Sequence, residues 1–277
     1  MIQHEVLNNT INLDELFNRG FCFDLTIRTW QAKSSDKSIL SDIPDLKDGY
    51  IKFLSDNDKK SFRQYEVKAR LWLEQNSFPF MNTRFVPNEA FKLLINGDDD
   101  RVGLLKLKEC FYNSFNEFIN NFDQTKTNFI ESIRNTNPKQ AESIEWSYPS
   151  KEEVASKFFF DWNTYEISPT SQVGNKEIMD QSANQHYQAF KNILINKISD
   201  SLANFKKMIY SENTVKSSSI RAMKNAIINY HSMNIFDETE LDKKLLELHS
   251  SLSTITNIES ENTDMRNKIA DIVDGIL

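Results

Sequence analysis

Pro169 is the last proline of this chain, and beyond it the only glycines are Gly174 and Gly275. So long a segment without helix breakers, carrying apolar residues at three- and four-residue spacing, reads as a set of long helices. The spacing predicts helices near 175–211, 216–235 and 238–275. In the first, Met179, Ala183, Tyr187, Phe190, Leu194, Ile198, Leu202, Phe205 and Ile209 form one stripe. In the last, Leu241, Leu245, Leu248, Leu252, Ile255, Asn262, Met265, Ile269, Ile272 and Ile276 do the same. At 1.5 Å per residue that last helix would be roughly 57 Å long. It would need a neighbouring helix, from this chain or another, to cover its stripe. Asn262 within the stripe is a candidate register or oligomer-setting position, or else a kink or a wetted site.

The earlier part is mixed. Asn12 or Asp14 can cap a short lead-in helix that Gly20 ends. Residues 21–30 alternate, with Phe21, Phe23, Leu25 and Ile27 on one side and Asp24, Thr26 and Arg28 on the other, the pattern of a half-buried strand. Residues 31–50 are polar and hold Pro44 and Gly49, so they read as loop or short helical pieces. Helical spacing returns from Asp58 to Gln75. The aromatic stretch from Asn76 to Pro87 reads as irregular, with a short helix to follow over 88–95. From about Arg101 a long helix carries Leu104, Leu107, Phe111, Phe115, Phe118, Phe122, Phe129 and Ile133 as a seam, and Asn137-Pro138 stops it. Ser150 and Glu153 form a capping-box pair at the start of a short helix. Residues 158–167 then resemble a second strand, with Phe158, Phe160, Trp162 and Thr164 on one face. The expected fold is mainly α, with long antiparallel, coiled-coil-like helices and a small antiparallel element of two strands, 21–30 and 158–167. The expected division is an α+β domain over 1–170 and an all-helical part over 171–277.

Charge and motifs narrow the function classes. The net charge of -7 argues against general nucleic-acid binding. Its distribution is uneven, because His186 to Lys224 is basic and Phe236 to Leu277 acidic, which predicts two segments that fold back on one another with complementary flanks. The alternative is an exposed basic surface, with Lys191, Lys197, Lys206, Lys207 and Tyr210 as the candidate nucleic-acid contacts. Cys22 and Cys110 make no disulfide framework, and Cys110 reads as a small buried hydrophobe beside the phenylalanine seam. Met1-Ile2-Gln3-His4-Glu5 lacks the basic region and apolar run of an export signal, and no apolar stretch approaches a membrane span. The expected location is therefore the cytoplasm, with no membrane partner.

No loop of the GxxxxGK[ST], GxGxxG or GxSxG type occurs, and the four histidines show no zinc spacing. Starting at Asp98, the chain imitates a calcium loop, with Asp98, Asp100, Gly103 and Glu109 at its first, third, sixth and twelfth positions. Val102 and Lys106 occupy ligand positions, so these acids read better as residues at a helix N-terminus. No cofactor is expected. The chain is expected to be non-enzymatic, an unrecognised enzyme being the alternative.

One resemblance can be placed on residues. The strand Leu25-Thr26-Ile27-Arg28-Thr29-Trp30 precedes Phe80-Met81-Asn82-Thr83-Arg84-Phe85-Val86-Pro87. After these come the helix of Phe111 and Phe115, then Pro138, Tyr148-Pro149-Ser150 and Lys157-Phe158-Phe159-Phe160-Asp161-Trp162. Over about residues 20–170 this resembles a phage and mobile-element family known as domain of unknown function 3150. Met81 and Asn82 stand where that family usually has glycines, which implies a loop of different shape. The resemblance implies a neighbourhood of a MoxR-like AAA+ ATPase and a protein with a von Willebrand factor A domain, and a bacterial host cytoplasm if the chain is phage-encoded. The functional expectation is an adaptor or scaffold that binds a protein partner, or a second copy of itself, through long helices. Candidate partner-binding residues are Arg84, Phe85, Leu245, Leu252 and Ile269. The alternatives are a nucleic-acid-handling accessory protein using 186–224 and a self-assembling structural or host-interaction protein.

Overall fold

The computed structural model describes residues 11–34, 51–166, 176–211, 214–236, 239–255, 257–259 and 262–277. The start of the lead-in segment, the polar stretch 35–50 and the expected boundary near 170 lie outside them. In chain order the elements are α1 (Leu13–Asn18), β1 (Gly20–Arg28), β2 (Lys33–Ser34), β3 (Ile51–Lys52), α2 (Asp56–Gln75), β4 (Phe78–Phe80), β5 (Thr83–Pro87), α3 (Asn88–Asn96) and α4 (Leu104–Asn120). There follow α5 (Phe122–Arg134), α6 (Pro138–Ser147), α7 (Lys151–Ala155), β6 (Phe159–Tyr165), α8 (Lys176–Ser211), β7 (Thr214–Val215), α9 (Ser217–Met233), α10 (Thr239–Ser253), β8 (Ile258–Glu259) and α11 (Thr263–Ile276).

The fold is mainly helical, as its spacing predicts, but the principal sheet has four strands rather than two, in the order β4-β5-β1-β6. The strands absent from the sequence reading are β4 and β5, an antiparallel hairpin that pairs Phe78 with Phe85 and Phe80 with Thr83. Two prolines and a turn without glycine hide it. Met81 supplies the turn by taking φ 49°, a left-handed conformation that costs a side chain with a Cβ. Pro79 is tolerated because β4 is an edge strand, where a missing N–H breaks no ladder. β5 continues into β1, with Gly20 opposite Pro87 and Cys22 opposite Phe85.

The chain forms two compact units, one from Met1–Asp24, Glu74–Leu94 and Thr164–Leu277, the other from Leu25–Leu73 and Ile95–Asn163. In the first, α8 packs on α9 and α11, α9 on α10, and α10 on α11, so the four helices close a ring of contacts. The α8 stripe is buried from Ala183 to Ile209. β7 and β8 pair Val215 with Ile258 and tie the α8–α9 connection to the α10–α11 connection. Phe190 of α8 is the centre of an aromatic cluster, stacked on Phe78 at 4.6 Å and on Phe85 at 5.3 Å.

The expected single helix 238–275 is two, α10 and α11. Asn262 is not a seam position but the N-cap of α11, accepting a hydrogen bond from the N–H of Met265. An asparagine offering its own side chain to the first turn favours ending one helix and starting another over continuing through it. A 57 Å rod is therefore absent, and Val273 rather than Ile272 enters the core.

In the second unit the core is again aromatic. Phe158 contacts Phe62 at 4.9 Å and Phe115 at 4.8 Å, and Phe111 meets Phe160 at 5.5 Å. Tyr148 packs on Phe53 and donates its hydroxyl to the Phe53 carbonyl at 2.6 Å. Burial, and then the charge of Asp58, pushes the Tyr148 hydroxyl pKa up. The expected continuous seam from 101 to 133 divides at Asn121 into α4 and α5, and Ile130 rather than Phe129 is buried. The capping box that the sequence suggests at Ser150 and Glu153 forms, and Asn12, one of the two candidate caps of α1, makes a second box with Glu15.

Candidate functional site

Two cations singled out for different reasons meet in the first unit. Arg84 sits in the middle of β5, and the strand's alternation turns Phe85 into the core while leaving the guanidinium near the chain segment that leads into β4. Its Nε donates to Ser77 Oγ at 2.9 Å, and its Nη2 donates to the Ser77 carbonyl at 3.1 Å and to the Glu74 carbonyl at 3.4 Å. Lys197, on α8, donates its Nζ to the same Glu74 oxygen at 3.2 Å. With one acceptor in common, the two nitrogens are no more than about 7 Å apart. At that distance two unit charges repel by about 2 kcal/mol at the dielectric of a partly buried site, less the screening that solvent brings.

Burial lowers the pKa of Arg84, against the charge of Glu74. Taken over the whole residue, Lys197 is exposed. Even so, desolvation of its ammonium, ahead of repulsion from Arg84, lowers its pKa. Carbonyls that end a helix attract cations, which accounts for one positive charge at Glu74. The second is in excess of that role.

The other candidate residues are placed as follows. Phe85, Leu245, Leu252 and Ile269 are buried in the core of their unit, so these apolar side chains are covered by the chain itself rather than offered to a partner. Lys206 forms an ion pair with Asp274 at 2.6 Å, and Tyr210 donates to the same carboxylate at 3.1 Å. Here the basic segment does meet the acidic one, as the charge pattern suggests. Lys191 is half-buried on α8, and Lys207 is exposed. An open groove of about 310 Å³ lies between α8 and α9, bordered by Ser201, Asn204 and Met208 on one side and Ser218, Ser219 and Ala222 on the other.

The calcium-like segment is occupied by its own residues. Asp98 binds the Arg101 guanidinium and accepts the Asp100 N–H at 3.0 Å, while Gly97 pairs with Val102 and α4 starts only at Leu104. Burial opposes ionisation of Asp98, but the hydrogen bonds and charge of Arg101 hold its carboxyl below the usual range. Among the described residues no group of three or more histidine, cysteine or acidic side chains is placed to hold a metal. Cys22 is the buried cysteine, its thiol pushed up to about 11 by burial and then by Asp24, whereas Cys110 is only half-buried.

Sequence reasoning missed Trp146. It lies on α6, 89% exposed, while Ala141 and Ile144 make that helix's buried face. A helical wheel of 138–147 places it roughly opposite that face, so the signal was present in the periodicity.

The histidines give the first unit a pH dependence. His231 of α9 lies with Nδ1 3.8 Å from Asp242 of α10, and the Nε2 atoms of His231 and His249 are buried with no hydrogen bond among the described residues. Burial is the leading cause that holds His231 below the ordinary 6.5, with Asp242 opposing and His249 assisting. Burial and then Lys224 lower His249, and burial lowers His186, whose ring lies 4.6 Å from Phe80. A folded-state pKa below the unfolded one means stability that is complete above the unfolded value and is lost as pH falls through it. Urea midpoints should therefore be level above about pH 7 and decline below about pH 6.5. Replacing both His231 and His249 by glutamine should flatten that decline. A midpoint that rises on acidification would contradict the assignment.

The chain is mainly helical with a small antiparallel sheet of four strands. The sequence model of one family, described as "protein of unknown function (DUF3150)", matches residues 19–263, and the chain belongs to that family. The match runs well past residue 170, where the sequence resemblance stops, and takes in α8, α9 and α10. No curated protein matches, and no solved structure matches.

Proposed function

We propose that this chain is a non-enzymatic adaptor or scaffold that binds a protein partner, with Trp146 as an anchor. The observation that carries this reading is the 89% exposure of a tryptophan on a regular helix whose N-terminus is capped by Asn137. Tryptophan is strongly buried on average, and leaving one in water forgoes about 3 kcal/mol of burial. It is also among the residues most enriched at the energetic centres of interfaces. The partner implied by the family resemblance is a MoxR-like AAA+ ATPase or its companion with a von Willebrand factor A domain. The setting is the cytoplasm, that of a bacterial host if the chain is phage-encoded. Among the described residues no helix is long and apolar enough to cross a membrane.

The test uses the purified ATPase and its companion in a titration against wild type and Trp146→Ala. Because the indole touches little of its own chain, the variant should melt within about 0.5 kcal/mol of wild type. Its affinity should fall by roughly thirtyfold, the effect of removing about 2 kcal/mol from an interface centre. Equal affinities would remove Trp146 from the interface, and no binding by wild type to either protein would remove these partners. Light scattering on the same samples would reveal self-association through Trp146 as a mass lost in the variant.

A further inference from the structure

We infer that Arg84 and Lys197 form an oxyanion-binding notch that takes a carboxylate or phosphate group. The inference rests on residues other than Trp146 and stands whether or not that side chain docks a partner. Its basis is an imbalance of charge and of hydrogen bonding. The Nη1 of Arg84 makes no hydrogen bond among the described residues, and Nζ of Lys197 uses one of its three donors. Neither cation has a carboxylate within ion-pair distance among the described residues. Glu74 acts on both through its charge alone, while its carbonyl accepts from both.

The carbonyls of Glu74 and Ser77 carry partial charges, so two full cations leave the notch positive. The fixed geometry adds to this. Arg84 is held by three hydrogen bonds on a strand paired on both sides, and Lys197 projects from a continuous helix, so little ordering remains to be done when a ligand arrives. The two N–H groups of the Arg84 Nη1 beside an ammonium suit an oxyanion with at least two acceptor oxygens, one for each cation. Such a ligand would bridge the two cations and relieve their repulsion. A halide can sit between the same two cations but has a single acceptor atom to share between them, whereas an oxyanion gives each cation its own oxygen.

The experiment is an NMR titration of the full chain, isotope-labelled and at constant ionic strength, with inorganic phosphate in one arm and acetate in the other. The Arg84 Nε–H signal and the backbone amides of Ser77 and Lys197 are followed, with chloride as the reference. Expected are saturable shifts in the low millimolar range, confined to these signals, in at least one arm. The arm that saturates at lower concentration identifies phosphate or carboxylate as the preferred group. In Lys197→Met, which changes an exposed position on α8, binding should weaken about tenfold. Shifts that are linear and no larger than with chloride in wild type would overturn the proposal and leave both cations as helix-terminus ligands only. A saturable shift unchanged in Lys197→Met would also overturn it, because the anion would then be bound elsewhere.

Discussion

Replacing Phe190 by alanine should destabilise its unit by about 3–5 kcal/mol, the cost of emptying a large aromatic site in a closed core. Phe190 is fully buried and lies face to face with Phe78, at 4.6 Å and 10° between planes. It stacks on Phe85 at 5.3 Å and meets Phe80 at 6.2 Å, so one ring on α8 is in contact with both strands of the β4–β5 hairpin. Its loss removes the burial of the ring and also the contacts that seat the hairpin carrying Arg84. Phe190→Leu, which keeps most of the volume, should cost about 1.5 kcal/mol or less. Urea unfolding followed by near-ultraviolet circular dichroism checks both variants. Because the chain has two units, the transition should be tested with a second probe before a single free energy is assigned. A loss below about 1 kcal/mol for the alanine variant would mean that the ring does not hold the hairpin to α8.

Gly103→Ala should cost about 3 kcal/mol or more, the upper end of the overpacking range. A Cβ on Gly103 would stand 2.3 Å from the Asn96 carbonyl carbon and the Gly97 nitrogen, and 2.4 Å from the Ile95 oxygen. All three are backbone atoms, so no rotamer change can make room. The close approach arises because the loop between α3 and α4 folds on itself, with Gly97 at φ 76° and Asp98 and Arg101 exchanging backbone hydrogen bonds. Gly103 is also the N-cap of α4 and has no side chain to offer that helix. A serine there would normally be a better cap, yet Gly103→Ser should be as damaging as the alanine. Thermal melting of the two variants gives the comparison. A serine variant as stable as wild type would show that capping, rather than close approach, decides the position.

The helices of the C-terminal part were legible because their burial follows local periodicity. Ala183, Tyr187, Phe190, Leu194, Ile198, Leu202, Phe205 and Ile209 all lie in the core. The capping box of Ser150 and Glu153 was legible for the same reason, since donor and acceptor are three residues apart. The β4–β5 hairpin was not, because its turn rests on Met81 in a conformation that side chains with a Cβ rarely take. The break between α10 and α11 was misread because Asn262 suits both a polar seam position and a cap, and no local signal chooses between them. Of the candidate site residues, Arg84 and Lys197 could be named but not joined, being far apart in the chain. Leu245, Leu252 and Ile269 were apolar in the right pattern, but the pattern does not say whether the covering surface belongs to the same chain.

By itself the sequence determined that most of the chain is helical and which faces of its long helices are apolar, since each is a matter of residues within one or two turns of each other. Only the tertiary structure decided that these faces cover one another in a ring of four helices, that an aromatic hairpin is added to β1, and that Arg84 and Lys197 share the carbonyl of Glu74. Those outcomes depend on contacts between residues distant in sequence, and there the balance of burial, strain and charge repulsion is set by neighbours that no local pattern specifies.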